Sequence, residues 1–547
     1  REVDMTESNY TPSPVLGEVI VDQLIRSGVR DAVISPGSRN APLTMALWRA
    51  AELKRIRLHT RIDERSAAFL ALGIAKATGL PTPVICTSGS AAANFYPALL
   101  EAHHSQCPLI AITADRPARL WQTGANQTTM QLGMFSAAVS HTVNISALGN
   151  EIGQVRVWRE AIAKCVSRKS PAHINVEFDE PLVGALEWSE PLDQEIAPIA
   201  PQEYKAQPLQ SYHPHGVILL GHDRAGIAQS DISRLSDALG WPILSEDPLV
   251  GINVVAHASL LLADEKRRSE LKPQIAMVIG RLTLTRAVSA YLALAERVVV
   301  VDSRIDEIDI EREGDELHLT LPMLDKQSAI QRDASWSEKF TSLAEKISQR
   351  LPGLLPQWSE PTAVVATVQE LPSDSAFFIA SSRPIRDIEA FATPRIGVET
   401  FANRGLAGID GNISTACGIA LARKRTYAIV GDLAFLHDIN GLLLGPEETK
   451  PNLTFIVISN DGGGIFSTLP QSEVPGFEKI FGTPHGRDLV AIAESYGIAA
   501  VGVRTQEALV AQLARSGEGI RVIVAYMPDR KANAELLKVI TRSLALL

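Results

Sequence analysis

The sequence predicts an α/β protein built of three doubly wound, parallel-sheet domains. Short, continuous apolar runs of strand length alternate with segments whose apolar residues recur at helical spacing, which is typical of βαβ units in a sheet covered on both faces. The chain has 547 residues, more than one hydrophobic core usually supports. Two proline-bearing stretches divide it, so we expect domains over 1–185, 186–350 and 351–547.

In the first domain, the helical spacing of Leu16, Ile20 and Leu24 predicts a helix that stops near Gly28. Apolar runs after it predict four strands, of which the first three are followed by loops of small or polar residues. These strands are predicted at 32–34, 84–86, 109–112 and 174–178. A further helix, rich in Ala, Leu and Gly, is predicted over 66–76.

The central domain, 186–350, includes an N-terminal linker, because the periodicity fades and prolines recur between 181 and 214. Its predicted strands are 217–220, 275–279 and 298–301. No GxGxxG motif opens it, so we assign it no dinucleotide, although a Rossmann-like fold is expected. A second proline-bearing stretch, 351–361, leads to the last domain, whose predicted strands are 377–379, 427–430, 453–458 and 522–526.

Composition narrows the class of protein. The net charge of -10 argues against a nucleic-acid or anionic-membrane partner, because those surfaces require a basic excess. No apolar run approaches the roughly 18 to 20 residues of a membrane span. Four scattered cysteines without a CxxC pair suit reduced thiols, and the polar N-terminus, in which Met5 is a candidate start, carries no signal-peptide pattern. We therefore expect a cytoplasmic protein.

The stretch 426–466 predicts a metal site. An apolar run ends in Gly431-Asp432-Leu433, and 26 residues later (434–459 intervening) comes Asn460, followed by Asp461 and three glycines. A carboxylate, an amide and a loop carbonyl at the ends of two strands are hard ligands that suit Mg²⁺ together with a phosphate. The alternative is a pair of ordinary strand-end turns, in which Gly, Asp and Asn are common.

The segment 35–39, Ser-Pro-Gly-Ser-Arg, follows the first strand and precedes a helix. Such a loop offers free backbone N–H groups, a hydroxyl and a guanidinium to an anion. The alternative is a simple Pro-Gly turn with a solvated arginine.

Two acidic residues, Asp63 and Glu64, precede the predicted helix over 66–76. Capping of that helix explains one of them. The other could be desolvated, and a desolvated glutamate is a candidate general acid or base.

Arginines recur on predicted loops near strand ends in several separate places. They occur at 113–117 (TADRP), 381–386 (SSRPIR) and 401–405 (FANRG), and a polar loop without arginine lies at 124–127 (GANQ). A ligand with several carboxylates would require such a set. Solvated surface arginines are the alternative for at least part of it.

Taken together, Gly431-Asp432 and Asn460-Asp461-Gly462 resemble the cofactor motif of the thiamine-diphosphate enzymes related to pyruvate decarboxylase, in which GDG is followed, after about 26 residues, by NN. This chain has Leu433 for the third Gly and Ser459 for the first Asn. The three-part division resembles the pyrimidine-binding, central and diphosphate-binding domains of that superfamily. The match is closest to its menaquinone-pathway branch, and the segments that carry it are SPGSR (35–39), DER (63–65), TSGSAAANFYPAL (87–99), TADRP (113–117), GANQ (124–127), NRGLAGIDG (403–411), GDLAFLHDIN (431–440) and GGGIFSTLP (462–470).

The resemblance implies a role for each matching residue. Glu64 would bond N1′ of the aminopyrimidine, Ile409 would be the apolar wedge that bends the cofactor, and Phe466 would lie beside the thiazolium. Mg²⁺ or Mn²⁺ would be held by Asp432, Asn460 and the carbonyl of Gly462. Other cofactor contacts are implied for Pro36, Thr87, Gln127, Gly431, Leu433 and Ile465. Substrate contacts are implied for Ser38, Arg39, Arg116, Asn126, Gln127, Arg286, Ser382, Arg386 and Arg404.

The resemblance also implies the reaction and the assembly. The expected enzyme decarboxylates 2-oxoglutarate and adds the resulting succinyl carbanion to isochorismate, and it is a homodimer or tetramer whose active sites are shared between subunits.

One alternative is another thiamine-diphosphate enzyme, a 2-oxoacid decarboxylase or an acetohydroxyacid synthase, whose smaller substrates need fewer arginines. A second is a non-catalytic ligand- or partner-binding module, against which the joint presence of Glu64, Asp432 and Asn460 argues.

Overall fold

A computed structural model of the chain describes residues 12–147, 152–167, 169–184, 204–251, 253–304, 314–324, 331–515 and 517–547. These residues form three six-stranded sheets, and the paired strands within each sheet are parallel. Helices flank the sheets. The predicted α/β class and the three parallel sheets are therefore confirmed, whereas the domain boundaries remain predictions.

The first sheet has the strand order β2-β1-β3-β4-β6-β5. Its strands are β1 (Asp31–Ile34), β2 (Arg57–Thr60), β3 (Thr82–Cys86), β4 (Leu109–Asp115), β5 (His141–Ser146) and β6 (Ala172–Glu177). The helices of this part are Pro12–Arg26, Ala41–Glu52, Glu64–Thr78, Ser90–Ala93, Tyr96–His104 and Ile152–Val166. The chain leaves β1 to one side to form β2 and returns on the other side as β3, so the winding direction changes between β1 and β3.

The second sheet has the order β12-β11-β10-β7-β8-β9. Its strands are β7 (Gly216–Leu220), β8 (Ile243–Ser245), β9 (Val254–Val255), β10 (Ile275–Ile279), β11 (Arg297–Val301) and β12 (Glu316–His318). The helices are Gln229–Leu239, Ala258–Leu261, Glu265–Glu270, Arg286–Leu292 and Ala334–Arg350. The central strands β7 and β10 are buried along their whole length, as expected for strands covered on both faces.

The third sheet has the order β14-β13-β15-β16-β18-β17. Its strands are β13 (Ser375–Ile379), β14 (Val398–Phe401), β15 (Thr426–Gly431), β16 (Leu453–Ser459), β17 (Ala499–Val503) and β18 (Ile520–Tyr526). The helices are Glu360–Glu370, Arg383–Phe391, Asn412–Leu421, Asp432–His437, Leu489–Ser495, Gln506–Leu513 and Arg530–Leu544. Here the winding direction changes between β13 and β15.

The chain groups into two compact units, as far as the structure describes them. The first comprises 1–202 with 410–423 and 437–451, and the second comprises 203–409, 424–436 and 452–547. Within the first unit, the helix Asn412–Leu421 packs closely on the helix Glu64–Thr78. A Cβ on Gly73 would overlap the carbonyl of Thr415, and one on Gly418 would overlap that of Leu70. Small residues at both positions therefore permit this approach.

Two further properties bear on the expectations from composition. All four cysteines are buried thiols, so the structure contains no disulfide between them. Across the described ranges, no helix is both long enough and apolar enough to cross a membrane.

Candidate functional site

In the first unit, the predicted site residues other than Glu64 lie on loops at the carboxyl edge of the sheet, around the change of winding between β1 and β3. Ligands of open parallel sheets bind at such a position. The loop that carries Pro36 and Ser38 follows β1 and touches Thr87, which follows β3, since a Cβ on Gly37 would overlap the Thr87 side chain. The structure therefore brings these two predicted loops together.

The two acids before the helix Glu64–Thr78 have different roles. Asp63 is the cap, because its carboxylate accepts hydrogen bonds from the backbone N–H groups of Arg65 (3.0 Å) and Ser66 (3.4 Å). Glu64 is the first helical residue and is only partly buried. Burial, and then the nearby charge of Glu64, raise the pKa of the Cys86 thiol at the end of β3. Glu64 therefore does not cap the helix, and its charge acts on Cys86 at the carboxyl end of β3.

Arg116 follows β4 and organises the predicted loop 124–127. Its guanidinium donates to Ser88 Oγ and to the carbonyl of Gln127 (2.7 Å), and Gln127 Nε2 donates to the carbonyl of Ser88 (2.9 Å). Asn126 is exposed on the same loop. Burial, and then the positive charge of Arg39, lower the pKa of Arg116. Two guanidiniums near each other favour an anionic ligand.

In the second unit, a cavity of about 550 Å³ opens where the winding changes between β13 and β15. Its size is typical of a small-molecule site. Eleven predicted site residues line it, namely Ser382, Arg386, Arg404, Ile409, Gly431, Asp432, Leu433, Asn460, Gly462, Ile465 and Phe466. Arg286 is not among the lining residues; it begins the helix Arg286–Leu292 and is exposed.

The predicted metal ligands lie together in this cavity. Asp432 begins the helix after β15, and its Oδ2 accepts hydrogen bonds from the backbone N–H groups of Asn460 (3.0 Å) and Gly462 (3.1 Å). Asn460 directly follows β16, which is paired with β15. Gly462 has a φ of 139°, and a Cβ there would overlap the carbonyl of Gly482, so the turn requires glycine.

The donor set fits a hard divalent cation. Asn460 Oδ1 is buried and has no hydrogen-bond partner among the described residues, whereas its Nδ2 donates to Glu360 (2.8 Å). A buried oxygen without a partner, beside a buried carboxylate, is suited to Mg²⁺. Within the described ranges, no three His, Cys, Asp or Glu side chains gather as a metal cluster.

The same cavity is lined by two guanidiniums, one buried and one half-buried. Arg404 is 5% exposed and donates to Thr283 Oγ1 (2.7 Å), and Arg386 donates to the carbonyl of Ser382 (2.7 Å). Burial, and then the positive charges of Arg404 and Arg383, lower the pKa of Arg386. These charges would be stabilised by a carboxylate that enters the cavity.

The residues near the site that the sequence prediction did not include are illustrated by Glu360, Thr283 and His485. Glu360 begins the helix Glu360–Glu370, and burial, followed by the charge of Asp387, raises its pKa to about 7. Thr283 comes from the central part of the chain. His485 Nε2 lies 3.4 Å from Asp432 Oδ2, and the hydrogen bond to Asp432 raises the pKa of His485. No sequence motif links these residues to the site, because each reaches it from a distant segment.

The apolar residues predicted to shape the cofactor also line the cavity. Ile409 is 39% exposed, although its side chain is a large apolar one. The Phe466 ring packs against that of Phe481, with their centroids 5.5 Å apart. An exposed isoleucine at a cavity wall is available for contact with a ligand.

Comparison with known proteins identifies the cofactor class. Residues 15–134 match the family described as "Thiamine pyrophosphate enzyme, N-terminal TPP binding domain", and 392–525 match the corresponding C-terminal TPP binding domain. Both matched ranges include predicted cofactor residues. Because both cofactor-binding domains match, the protein is a thiamine-diphosphate-dependent enzyme.

Relatives extend the similarity to nearly the whole chain. A 2-succinyl-5-enolpyruvyl-6-hydroxy-3-cyclohexene-1-carboxylate synthase of Thermobifida fusca is 38% identical, with 98% of this chain and 99% of the relative aligned. Synthases of the same name from Saccharopolyspora erythraea (38% identical, 94% and 95% aligned) and Nocardia farcinica (37%, 96% and 98%) are similarly close. With this identity over almost the full length of each protein, the chain belongs to the family of 2-succinyl-5-enolpyruvyl-6-hydroxy-3-cyclohexene-1-carboxylate synthases.

Proposed function

We propose that the protein decarboxylates 2-oxoglutarate and adds the resulting succinyl carbanion to isochorismate in a 1,4 sense. The product would be 2-succinyl-5-enolpyruvyl-6-hydroxy-3-cyclohexene-1-carboxylate, a menaquinone precursor. One observation carries the proposal: the guanidiniums of Arg386 and Arg404 lie in the same cavity as Asp432 and Asn460. Both substrates are dicarboxylates, and they need cations beside the cofactor.

Asp432, Asn460 and the carbonyl of Gly462 would hold Mg²⁺ or Mn²⁺, and the ion would hold the diphosphate of the cofactor. The buried Oδ1 of Asn460 supports this assignment, because it has no hydrogen-bond partner in the parts of the chain that the structure describes. Thiamine diphosphate, when bound, supplies the electron sink that makes decarboxylation possible. Gly431, Leu433 and Ile465 would contact it, Ile409 would support its bent conformation, and Phe466 would lie beside its thiazolium.

Glu64 would hold a proton at N1′ of the aminopyrimidine, and Pro36, Thr87 and Gln127 would line that ring. The assignment of Asp63 as the helix cap supports a separate role for Glu64. A positioned carboxyl group of this kind contributes typically about 10²- to 10⁴-fold to a rate.

Substrate carboxylates would be oriented by two groups of residues. Ser38, Arg39, Arg116, Asn126 and Gln127 belong to the first unit, and Ser382, Arg386 and Arg404 belong to the second. Orientation by fixed guanidiniums lowers the entropic cost of bringing two substrates together. Arg286 is the last residue of the predicted substrate set. It is exposed and does not line the cavity, so the cavity does not support its role.

We also propose a homodimer or tetramer in which Glu64 of one copy serves the cofactor held by Asp432 of another. The resemblance to dimeric thiamine-diphosphate enzymes supports this assembly. The three-domain division over 1–185, 186–350 and 351–547 is part of the same proposal, and each of these ranges contains one of the three sheets.

Product identification tests the function. The protein would be incubated with 2-oxoglutarate, isochorismate, thiamine diphosphate and Mg²⁺, and the products identified by mass spectrometry, with the cofactor omitted as the control. We expect the succinyl-cyclohexene carboxylate only in the complete mixture. Rapid CO₂ release without isochorismate, and no coupled product with it, would instead assign a simple 2-oxoacid decarboxylase.

A further inference from the structure

Glu360 makes a direct contact with a proposed metal ligand. Its side chain is buried, with 2% of the residue exposed, and its Oε1 accepts a hydrogen bond of 2.8 Å from Asn460 Nδ2. Ser359 caps the helix that Glu360 begins, because its hydroxyl accepts from the N–H of Thr362 (3.3 Å). The cap fixes the start of the helix, from which the Glu360 carboxyl group reaches Asn460.

The contact determines which way the Asn460 amide faces. The oxygen and the NH₂ group of an amide have nearly the same shape, so packing alone does not distinguish the two orientations. In the structure the NH₂ group faces Glu360, and an ionised carboxylate favours this orientation because it accepts hydrogen bonds and does not donate them. The oxygen then points away from Glu360, and this is the buried Oδ1 that has no partner in the described part of the chain.

A neighbouring glycine leaves room for this arrangement. A Cβ on Gly464 would overlap Asn460 Nδ2. The amide nitrogen is therefore confined between Gly464 and Glu360. With the amide reversed, an NH₂ group would replace the oxygen at the metal position, and an NH₂ group has no lone pair to offer a hard cation.

We infer that Glu360 is a positioning residue that fixes the Asn460 amide with its oxygen directed to the divalent cation. The inference rests on the metal site proposed above and adds to it a residue that does not itself bind the ion. Hydrogen-bond partners behind metal ligands typically affect affinity by about 10- to 100-fold.

Metal binding, rather than turnover, provides the test. Mn²⁺ would be titrated into the protein saturated with thiamine diphosphate, and free Mn²⁺ followed by electron paramagnetic resonance. We expect Glu360→Ala to raise the Kd for Mn²⁺ by about 10- to 100-fold. Glu360→Gln should raise the Kd for Mn²⁺ much less than Glu360→Ala does, because its amide oxygen can still accept a hydrogen bond from Asn460. The matched control is Glu370→Gln, the same change at an exposed position of the same helix, which should leave the Kd unchanged.

A double-mutant cycle separates positioning from a general effect of charge. If Glu360 acts through Asn460, adding Glu360→Ala to Asn460→Ala should not weaken Mn²⁺ binding further. Equal losses in Glu360→Ala and Glu360→Gln, or additive losses in the double variant, would overturn the inference. Circular dichroism checks folding, and if Glu360→Ala does not fold, Glu360→Leu, which removes the hydrogen-bond acceptor and keeps an apolar side chain of similar size, takes its place in the cycle.

The outcomes distinguish this inference from the proposal beneath it. Unchanged Mn²⁺ affinity in Asn460→Ala would show that the metal site itself is wrong. Weakened binding in Asn460→Ala together with unchanged binding in Glu360→Ala would overturn only the role of Glu360.

Discussion

Asp432 accepts a hydrogen bond of 3.0 Å from the backbone N–H of Asn460, which joins the end of β15 to the end of β16. The carboxylate is therefore oriented by the protein itself, through this bond and one from the N–H of Gly462. Its other oxygen accepts from the N–H of Leu433 (2.7 Å). Leu433 differs from the GDG motif of the resemblance, but the contact needs only a backbone N–H, which any residue except proline supplies.

Gly464→Ala should weaken metal binding. The added methyl group would displace Asn460 Nδ2, and the amide is the flexible partner in that overlap. We expect the Kd for Mn²⁺ to rise by about tenfold, with little change in the free energy of unfolding. Gly445→Ala is the control, since its Cβ would meet only ordinary contacts. Equal affinity in both variants would contradict the close fit of the amide.

Glu64→Gln should separate cofactor binding from turnover. The amide keeps the size of the side chain but cannot supply the proton proposed for N1′, so kcat should fall by about 10²- to 10⁴-fold. The Kd for thiamine diphosphate, measured by calorimetry, should change little by comparison. Glu52→Gln, at an exposed helix end, is the control. Full turnover in Glu64→Gln would disprove the assigned role.

Thr283→Val should weaken substrate binding more than it slows catalysis. The substitution removes the hydroxyl that accepts a 2.7 Å hydrogen bond from Arg404, while it keeps the shape of the side chain. With Arg404 less firmly held, we expect the KM of a carboxylate substrate to rise about 3- to 10-fold, and kcat to change less. Steady-state kinetics measures both, and Thr341→Val on an exposed helix face is the control. A change confined to kcat would contradict this prediction.

Glu389→Gln should alter the pH dependence of stability. Burial raises the pKa of Glu389 to about 7, above about 4.3 in an unfolded chain, so its stabilising contribution is present at low pH and is lost as the pH rises through 7. The variant does not titrate, and its Oε1 can still accept from the N–H of Ser259. Relative to the parent protein, the variant should therefore gain on the order of 2 kcal/mol in the free energy of unfolding between pH 5 and pH 8.

Urea denaturation at several pH values measures that difference for Glu389. Glu370→Gln, which changes an exposed glutamate, should follow the parent protein at every pH. Parallel curves for Glu389→Gln and the parent would show that Glu389 does not titrate in this range.

Mixing two inactive variants should restore activity if active sites are shared between subunits. Glu64→Gln and Asp432→Ala impair different parts of the proposed site. In a randomly exchanged homodimer, half of the dimers are mixed and one of their two sites is intact, so about a quarter of the parent activity should return. The control is each variant mixed with itself. No recovery, despite subunit exchange shown by mass spectrometry, would place Glu64 and Asp432 in the same copy's site.

The sequence predicted the buried strands well and the edge strands poorly. Apolar runs marked β1, β3, β4 and β6 because such strands are covered on both faces. The strands that it did not mark are β2, β5, β8, β9, β12, β14 and β17. All except β8 lie at the edge of a sheet, and strands such as β2 and β17 are partly exposed, so they lack a continuous apolar run.

At the site, the sequence predicted those residues that belong to short local motifs. Gly431-Asp432 and Asn460 lie at the ends of paired strands, and parallel pairing places such ends side by side. Glu360 and Thr283 could not be predicted in this way, because each meets the site only through folding. Arg286 is the opposite case. The resemblance assigned it to the substrate site, but it does not line the cavity.

The close packing of the helix Asn412–Leu421 on the helix Glu64–Thr78 has a practical consequence for dissecting the protein. The first compact unit is not a continuous stretch, since it includes 410–423 and 437–451. An expressed fragment that ends near residue 351 would lack the helix against which Gly73 packs and would expose a face of small apolar residues to water. Neither unit can therefore be cut out as one uninterrupted coding segment, and chimaeras between relatives would have to exchange both added segments together with the N-terminal part.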